Sequence, residues 1–370
     1  MARKKKEEKT EFYSLSKIMK IKAKYYMIFG QRSNGKTYAV LELILTNYIK
    51  RREQGAIIRR FSEDFRGKRG ASMFNNHVNN GIIRTLTNET YNSIKYASKQ
   101  WFLCLKNEGG EIIKMDDRPF CYGFALSEME HDKSTSYPKI TTVCFDEFLS
   151  RTGYLNDEFV LFMNTLSTII RTRDNVKIFM LGNTVNKWCP YFVEMGLKHI
   201  KEMNAGDIDT YKYADKNLIV AVEYAEPVEA TAKSSSYFAF DNPKLQMITT
   251  GAWELDIYPH CPCKFTFNDV IRKFYIIWDG QILEGDIVIT DERNLFLFFH
   301  IKTTPLKEKD GDMIFSTEYS IKNGWYRNMK MYYNPISKMI AKLFKSDKVF
   351  YQNNEVGDII FNYLKWCDKN

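Results

Sequence analysis

The octapeptide GQRSNGKT, Gly30 to Thr37, follows the apolar run KYYMIF and precedes YAVLELILTNYI, a stretch with helical periodicity. The spacing G-x4-G-K-T is complete, and its context is the one a phosphate-binding loop requires: a strand before it and a helix opening at the lysine. Glycines let successive backbone N–H groups curl around phosphate oxygens, and the helix N-terminus adds a favourable dipole. The candidate phosphate-binding residues are therefore Gly30, Gln31, Arg32, Ser33, Asn34, Gly35, Lys36 and Thr37. Lys36 is expected on the β and γ phosphates of ATP and Thr37 on Mg²⁺. Arg32 either adds positive charge near the γ phosphate or faces solvent.

Working outward, strand and helix patterns alternate from Lys24 to about Gly196, the signature of a parallel sheet covered on both faces. Four strands are legible: YYMIFG, AIIRRF from Ala56, ITTVCF from Ile140 and VKIFMLGN from Val176. The third ends in Asp146 and Glu147, where a phosphate-loop protein needs a carboxylate to hold Mg²⁺. Asp146 takes that role, and Glu147 is placed to polarise an attacking water. The fourth ends at Asn183 on the same carboxyl edge of the sheet, where ligands of open α/β sheets bind. Asn183 is either a γ-phosphate sensor or a turn residue. Between these strands, Phe159, Phe162, Met163, Leu166 and Ile170 form a helical stripe ending at Arg171 and Arg173. An arginine there either complements the helix dipole or reaches a neighbouring subunit's nucleotide.

The expected domains are 1–196, a P-loop domain with a lid-like antiparallel insertion at about 93–125; 197–263, a linker region containing EPVEATAKSSSY; and 264–370, a smaller α+β domain. In the last, KFYIIWDGQILEGDIVI reads as a hairpin turning at Asp279-Gly280, and two helical patterns close the chain. The balance of 54 Lys+Arg against 45 Asp+Glu, a formal charge of +9, favours a polyanionic partner. The seven scattered cysteines do not suggest a disulfide framework. His260, Cys261 and Cys263 lack the second pair that a structural zinc site uses. No segment approaches the roughly 20 apolar residues of a membrane span.

FYS at Phe12, the loop with its internal arginine, DKSTSYPKITTVCFDEF, IIRTRDNVKIFMLGNTV and PYF at Pro190 occur in one order. In these landmarks the stretch from Phe12 to Phe192 resembles the DNA packaging (encapsidation) ATPases of phi29-type bacteriophages, small relatives of the large terminases. The resemblance implies an ASCE/RecA-like P-loop fold, with Lys36 and Thr37 on the phosphates and Mg²⁺, Asp146 on the metal, Glu147 as catalytic base and Asn183 as sensor. It further implies Arg171 as a finger donated in trans, Lys133 on a lid near a neighbouring site, and Tyr13 against the adenine. Its members push double-stranded DNA through a portal into a preformed shell, as a homo-oligomeric ring, pentameric by the resemblance, in the host cell cytoplasm. Some dock on a structural RNA. Their C-terminal domain resembles a degenerate RNase H fold, and here Asp286, Asp291 and Glu292 are the acids from which a nuclease site would have to be built. The rival expectations are a RecA-like helicase or recombinase, and a nucleotide-binding assembly protein without motor activity.

Overall fold

The apolar run before the phosphate-loop stretch forms β1 (Tyr25–Gly30), which is buried along its whole length. A strand buried on both faces reads as continuous apolar sequence because helices cover both sides of the sheet. Here Met27 and Phe29 join one core, and Tyr26 and Ile28 join the other. The computed structural model describes residues 12–131, 135–150, 154–155, 157–184, 189–213, 218–228, 258–261, 263–291 and 293–368. The chain divides into two units, Met1–Glu254 and Leu255–Asn370, each carrying its own sheet.

In the first unit, β1 is followed by α1 (Lys36–Arg51), β2 (Gln54–Arg59), the short helices α2 (Lys68–Ser72), α3 (Asn75–Asn79) and α4 (Ile82–Leu86), then β3 (Ser93–Ala97), β4 (Gln100–Lys106), β5 (Ile112–Met115) and β6 (Cys121–Ala125). Next come β7 (Ile140–Asp146), α5 (Glu158–Ile170), β8 (Lys177–Asn183), α6 (Pro190–Glu194), β9 (Ile208–Tyr213) and β10 (Leu218–Ala225). The sheet order is β3-β4-β6-β2-β7-β8-β1-β10-β9, with β5 on β4. From β6 to β10 every neighbouring pair is parallel. The loop strand β1 and the carboxylate strand β7 are thus separated by β8, and their carboxyl ends share one edge. This is the mixed α/β, parallel-rich sheet that the alternating pattern predicts.

Two expectations need correction. The insertion at about 93–125 is antiparallel in β3, β4 and β5, but it is not a separate lid. β6 lies parallel to β2 inside the main sheet, and β4 pairs antiparallel with β6, so the insertion prolongs the sheet. Fully buried Trp101, which donates from Nε1 to the Gly70 carbonyl at 2.9 Å, anchors it against the short helices. The second concerns residues 197–225 of the expected linker region. They contain β9 and β10, and β10 is a core strand running parallel to β1 in the register Tyr25↔Val220 to Gly30↔Ala225. The run LIVAVEYA is apolar enough to be a buried strand in its own right. Most of EPVEATAKSSSY falls outside the described residues.

In the second unit β11 (Val270–Trp278), β12 (Gln281–Ile289) and β13 (Leu295–Ile301) form an antiparallel meander. Its first turn is Asp279-Gly280, with φ of 50° and 73° as a two-residue hairpin requires. β14 (Ile314–Ser316) runs parallel to β11, β15 (Trp325–Tyr326) parallel to β14, and β16 (Val349–Tyr351) parallel to β13. Helices α7 (Pro335–Lys345) and α8 (Asn354–Cys367) pack against β13. Each is capped by an asparagine: Asn334 accepts from the Ser337 amide and Asn353 from the Val356 amide, both at 2.9 Å. The unit is the α+β arrangement expected for the C-terminal part.

Candidate active site

The phosphate-loop stretch closes over the carboxyl edge of the first sheet because its backbone can turn there. Gly30 has φ of 151°, and a Cβ at this position would lie 2.9 Å from the Ala225 carbonyl oxygen. Gly35 caps α1 at φ of 99°, a conformation that L side chains rarely adopt. A cavity of about 630 Å³ opens beside the loop, within the range of nucleotide-sized sites. Its wall includes Ser33 to Tyr38 from the loop and α1, Arg59 from β2, Asp146 and Glu147 from β7, and Asn183 from β8.

Lys36 is buried and curls back on its own loop, donating from Nζ to the Gln31 carbonyl at 2.7 Å and to Asn34 Oδ1 at 3.1 Å. Burial pushes its ammonium down to about 8, with the charge of Asp146 opposing the shift. Thr37 Oγ1 donates to Asp146 Oδ1 at 3.0 Å, across the gap left by β8. Burial raises Asp146 above the usual carboxylate range, and Arg59 opposes this. Asp146 Oδ2 and Glu147 Oε2 take the two Nη groups of Arg59 at 2.7 and 2.9 Å. Glu147 stands at φ of 65°, with its side chain about three-fifths exposed. Asn183 pairs with Gly30 in the sheet register and faces the cavity.

The donor set suits a polyphosphate with a hard divalent cation. A hydroxyl and a carboxylate already 3.0 Å apart can share one ion of oxygen preference. The buried Nδ2 of Asn34 and Nε of Arg59 have no hydrogen-bond partner among the described residues, and both belong to residues of the cavity wall. Such orphaned donors fit an anionic ligand.

Lys36, Thr37, Ser33, Asn34, Gly35, Asp146, Glu147 and Asn183 meet at one cavity. Others of the expected set do not reach it. Gln31 is turned inward, its Oε1 accepting from the Val228 amide at 2.9 Å, and Arg32 is exposed outside the cavity wall. Tyr13 is likewise not among the residues of the cavity wall: its hydroxyl donates to buried Glu223 at 2.6 Å. Its neighbour Phe12 is on the cavity wall instead and meets the loop at Gly35. Arg171 lies away from its own chain's cavity, exposed at the end of α5, and donates from Nη2 to the Thr135 carbonyl at 3.2 Å. Lys133 falls outside the described residues.

Arg59 was not among the sequence candidates. The available signal was an arginine ending a buried apolar strand beside the acidic strand, since such a charge needs a partner.

In the second unit Asp291 sits past the end of β12 and does not join Asp286 in a cluster of ligand atoms, and Glu292 is outside the described residues. Instead ligand atoms of Glu284, Asp286 and His300 lie within 4.8 Å of one another. Two lysines neutralise this group. Lys273 pairs with Glu284 and, at 3.3 Å, with Asp286, while Lys302 reaches Glu284 at 3.2 Å. An ammonium group beside each carboxylate opposes the approach of a metal cation.

The sequence and the fold both have known relatives. Residues 7–214 match the family described as Podovirus DNA encapsidation protein (Gp16). The chain is 30% identical over 173 residues to a DNA packaging protein of Bacillus phage B103, covering 46% of this chain and 47% of that protein. It is 24% identical over 193 residues to the DNA packaging protein of Bacillus phage phi29, covering 51% and 52% respectively. The chain thus spans about half the length of the curated relatives it matches. Among solved structures, the bacteriophage Phi-29 viral genome packaging motor assembly aligns with TM-score 0.57 and 16% identity over 96% of this chain and 98% of that chain. The Phi-28 gp11 DNA packaging motor aligns with TM-score 0.52 and 19% identity over 98% and 99%. At these identities the structural likeness speaks for the fold. Since the sequence match covers more than half of the chain, the chain belongs to the podovirus DNA encapsidation protein (Gp16) family.

Proposed function

We propose that the chain is an ATP-driven motor that moves double-stranded DNA through a portal into a preformed capsid. The observation that carries this reading is the convergence of Lys36, Thr37, Asp146 and Glu147 on one nucleotide-sized cavity, in a chain of this family. Lys36 exchanges its loop carbonyls for the β and γ phosphates of ATP. Thr37 and Asp146 hold Mg²⁺, which when bound neutralises charge developing on the phosphates. Glu147 accepts a proton from the attacking water, and Asn183 reads the γ phosphate from the end of β8.

Arg171 is exposed at the end of α5 and is not among the residues of its own cavity wall, which favours action on a neighbouring copy; Lys133 is assigned to a lid near a neighbouring site. A homo-oligomeric ring, pentameric by family resemblance, follows from this division of labour. The ring works in the host cytoplasm while attached to the capsid, and a structural RNA is a candidate partner. The charge of +9 suits the DNA backbone, so binding should weaken steeply with salt. The lysine-neutralised acids of the second unit favour a domain without nuclease activity. ATP hydrolysis measured with and without duplex DNA and empty portal-bearing shells tests the proposal: stimulation by both is expected, and indifference to both rejects it. Strand unwinding without packaging would indicate a helicase instead.

A further inference from the structure

Beneath the acidic pair lies a second arginine. Arg60 follows β2, is buried, and forms a two-pronged ion pair with Glu158, the first residue of α5: Nε to Oε2 at 2.7 Å and Nη2 to Oε1 at 2.8 Å. Two more donors of the guanidinium go to the acidic turn. Nη1 donates to the Glu147 carbonyl at 3.1 Å and Nη2 to the Phe148 carbonyl at 3.0 Å. Glu158 also accepts from the Leu155 amide at 2.7 Å and from the Tyr191 hydroxyl of α6 at 2.9 Å. The Arg60 guanidinium lies over the Tyr154 ring at 5.1 Å.

A buried ion pair is a weak source of stability, because desolvation offsets most of the attraction. Its geometric demand is strong, since a planar fork satisfies several acceptors only in one arrangement. What the fork holds here is a backbone turn in an unfavourable conformation. Glu147 is a non-glycine residue at φ of 65°, which persists only where its surroundings over-determine it. On its other side the turn is fixed by the Phe148 amide, which donates to the Leu181 carbonyl of β8 at 3.1 Å.

We propose that Arg60 and Glu158 are positioning residues for hydrolysis: their pair locks the Glu147–Phe148 turn and so aims the Glu147 carboxylate into the cavity. This rests on Glu147 being the catalytic base. Neither residue lines the cavity, so their effect on nucleotide affinity is small. The pair also joins the turn to the start of α5 and, through Tyr191, to α6. The reach of the base is therefore registered against the helix that ends at Arg171.

The test uses the full chain assayed with DNA and portal-bearing shells. Replacing the pair by apolar groups, Arg60→Met with Glu158→Leu, avoids leaving one buried charge alone. The expected result is an unchanged Mg-ATP dissociation constant and a cooperative melting transition still above the assay temperature, with turnover reduced about 100-fold, the cost of misplacing a reacting group by about 1 Å. Arg60→Lys, which keeps the charge but not the fork, should show the same split. In a Glu147→Gln background the pair replacement should cause no further loss, which a merely structural role would not produce. Turnover within threefold of the parent in both variants overturns the proposal, as does an equal further loss in the Glu147→Gln background. Normal turnover in Glu147→Gln alone removes the base assignment, and this proposal with it.

Discussion

Thr37 and Asp146 stand 109 positions apart in the sequence, and the Thr37 hydroxyl donates to Asp146 Oδ1 at 3.0 Å. Since β8 lies between β1 and β7, the contact exists only because the start of α1, just after β1, and the end of β7 lie at the same edge of the sheet. Thr37→Val should leave the fold intact and raise the Mg²⁺ concentration needed for half-maximal hydrolysis at least tenfold, as read from a metal titration of ATPase rate. An unchanged metal requirement would take Thr37 out of the metal site.

Glu147 and Lys36 should separate chemistry from binding. Glu147→Gln is expected to reduce single-turnover hydrolysis by about 10²- to 10⁴-fold while retaining ATP, the range for loss of a general base. Lys36→Ala should lose ATP affinity itself, measured with a fluorescent nucleotide. Equal loss of binding in both variants would contradict the division of roles.

The lowered ammonium of Lys36 gives a pH dependence with a definite sign. Binding to phosphate favours the charged form, and the free protein begins to lose that charge as pH rises through about 8. Mg-ATP affinity should therefore be flat below about 8 and fall above it, approaching tenfold per pH unit. The same burial disfavours the charged form in the folded chain. This contribution to stability therefore grows, rather than shrinks, between about 8 and the ordinary lysine value of 10.5. Isothermal titration from pH 7 to 9.5 checks the first statement; constant affinity would show that the lysine stays charged in the free loop.

Arg171→Ala should spare nucleotide binding and abolish the part of hydrolysis that depends on assembly. Mixing Arg171→Ala subunits with Lys36→Ala subunits, each inactive alone, should restore hydrolysis where an intact Arg171 meets a neighbour's intact phosphate loop. No restoration in mixed rings would mean that Arg171 serves only its own chain.

In the second unit the hydrogen bond to Asp286 raises His300 above its ordinary value of 6.5. A raised imidazole contributes stability that is fully present below 6.5 and is lost as pH rises through the folded value. Melting of the full chain should show this loss as pH rises above 6.5, and His300→Gln should remove it. A variant with the parent's pH profile would exclude His300 as its source.

The elements most legible in the sequence were those in which local spacing and chemistry coincide. GQRSNGKT declares itself because glycine, lysine and threonine are each needed at fixed offsets, and Asp146-Glu147 because two acids end an otherwise apolar strand. Arg59 and Arg60 carry no such spacing; their meaning comes from β2 lying beside β7, which only the sheet order supplies. Phe12 and Tyr13 show a finer limit. Adjacent residues turned to different surroundings exchange roles with the phase of the backbone, and composition does not fix that phase. Glu284 and His300 are brought opposite each other by antiparallel register. Asp291, near the next turn and chosen for closeness in sequence, does not join them.

The pairing of β10 with β1 also decides where the chain can be divided. A fragment ending at Gly196 would leave the backbone of a six-residue, fully buried strand open along one side, a template for non-native strand addition. Such a piece should precipitate or form mixed aggregates. A piece ending at Val228 retains the covering strand and is the earlier boundary at which the first unit's sheet could be purified with β1 covered.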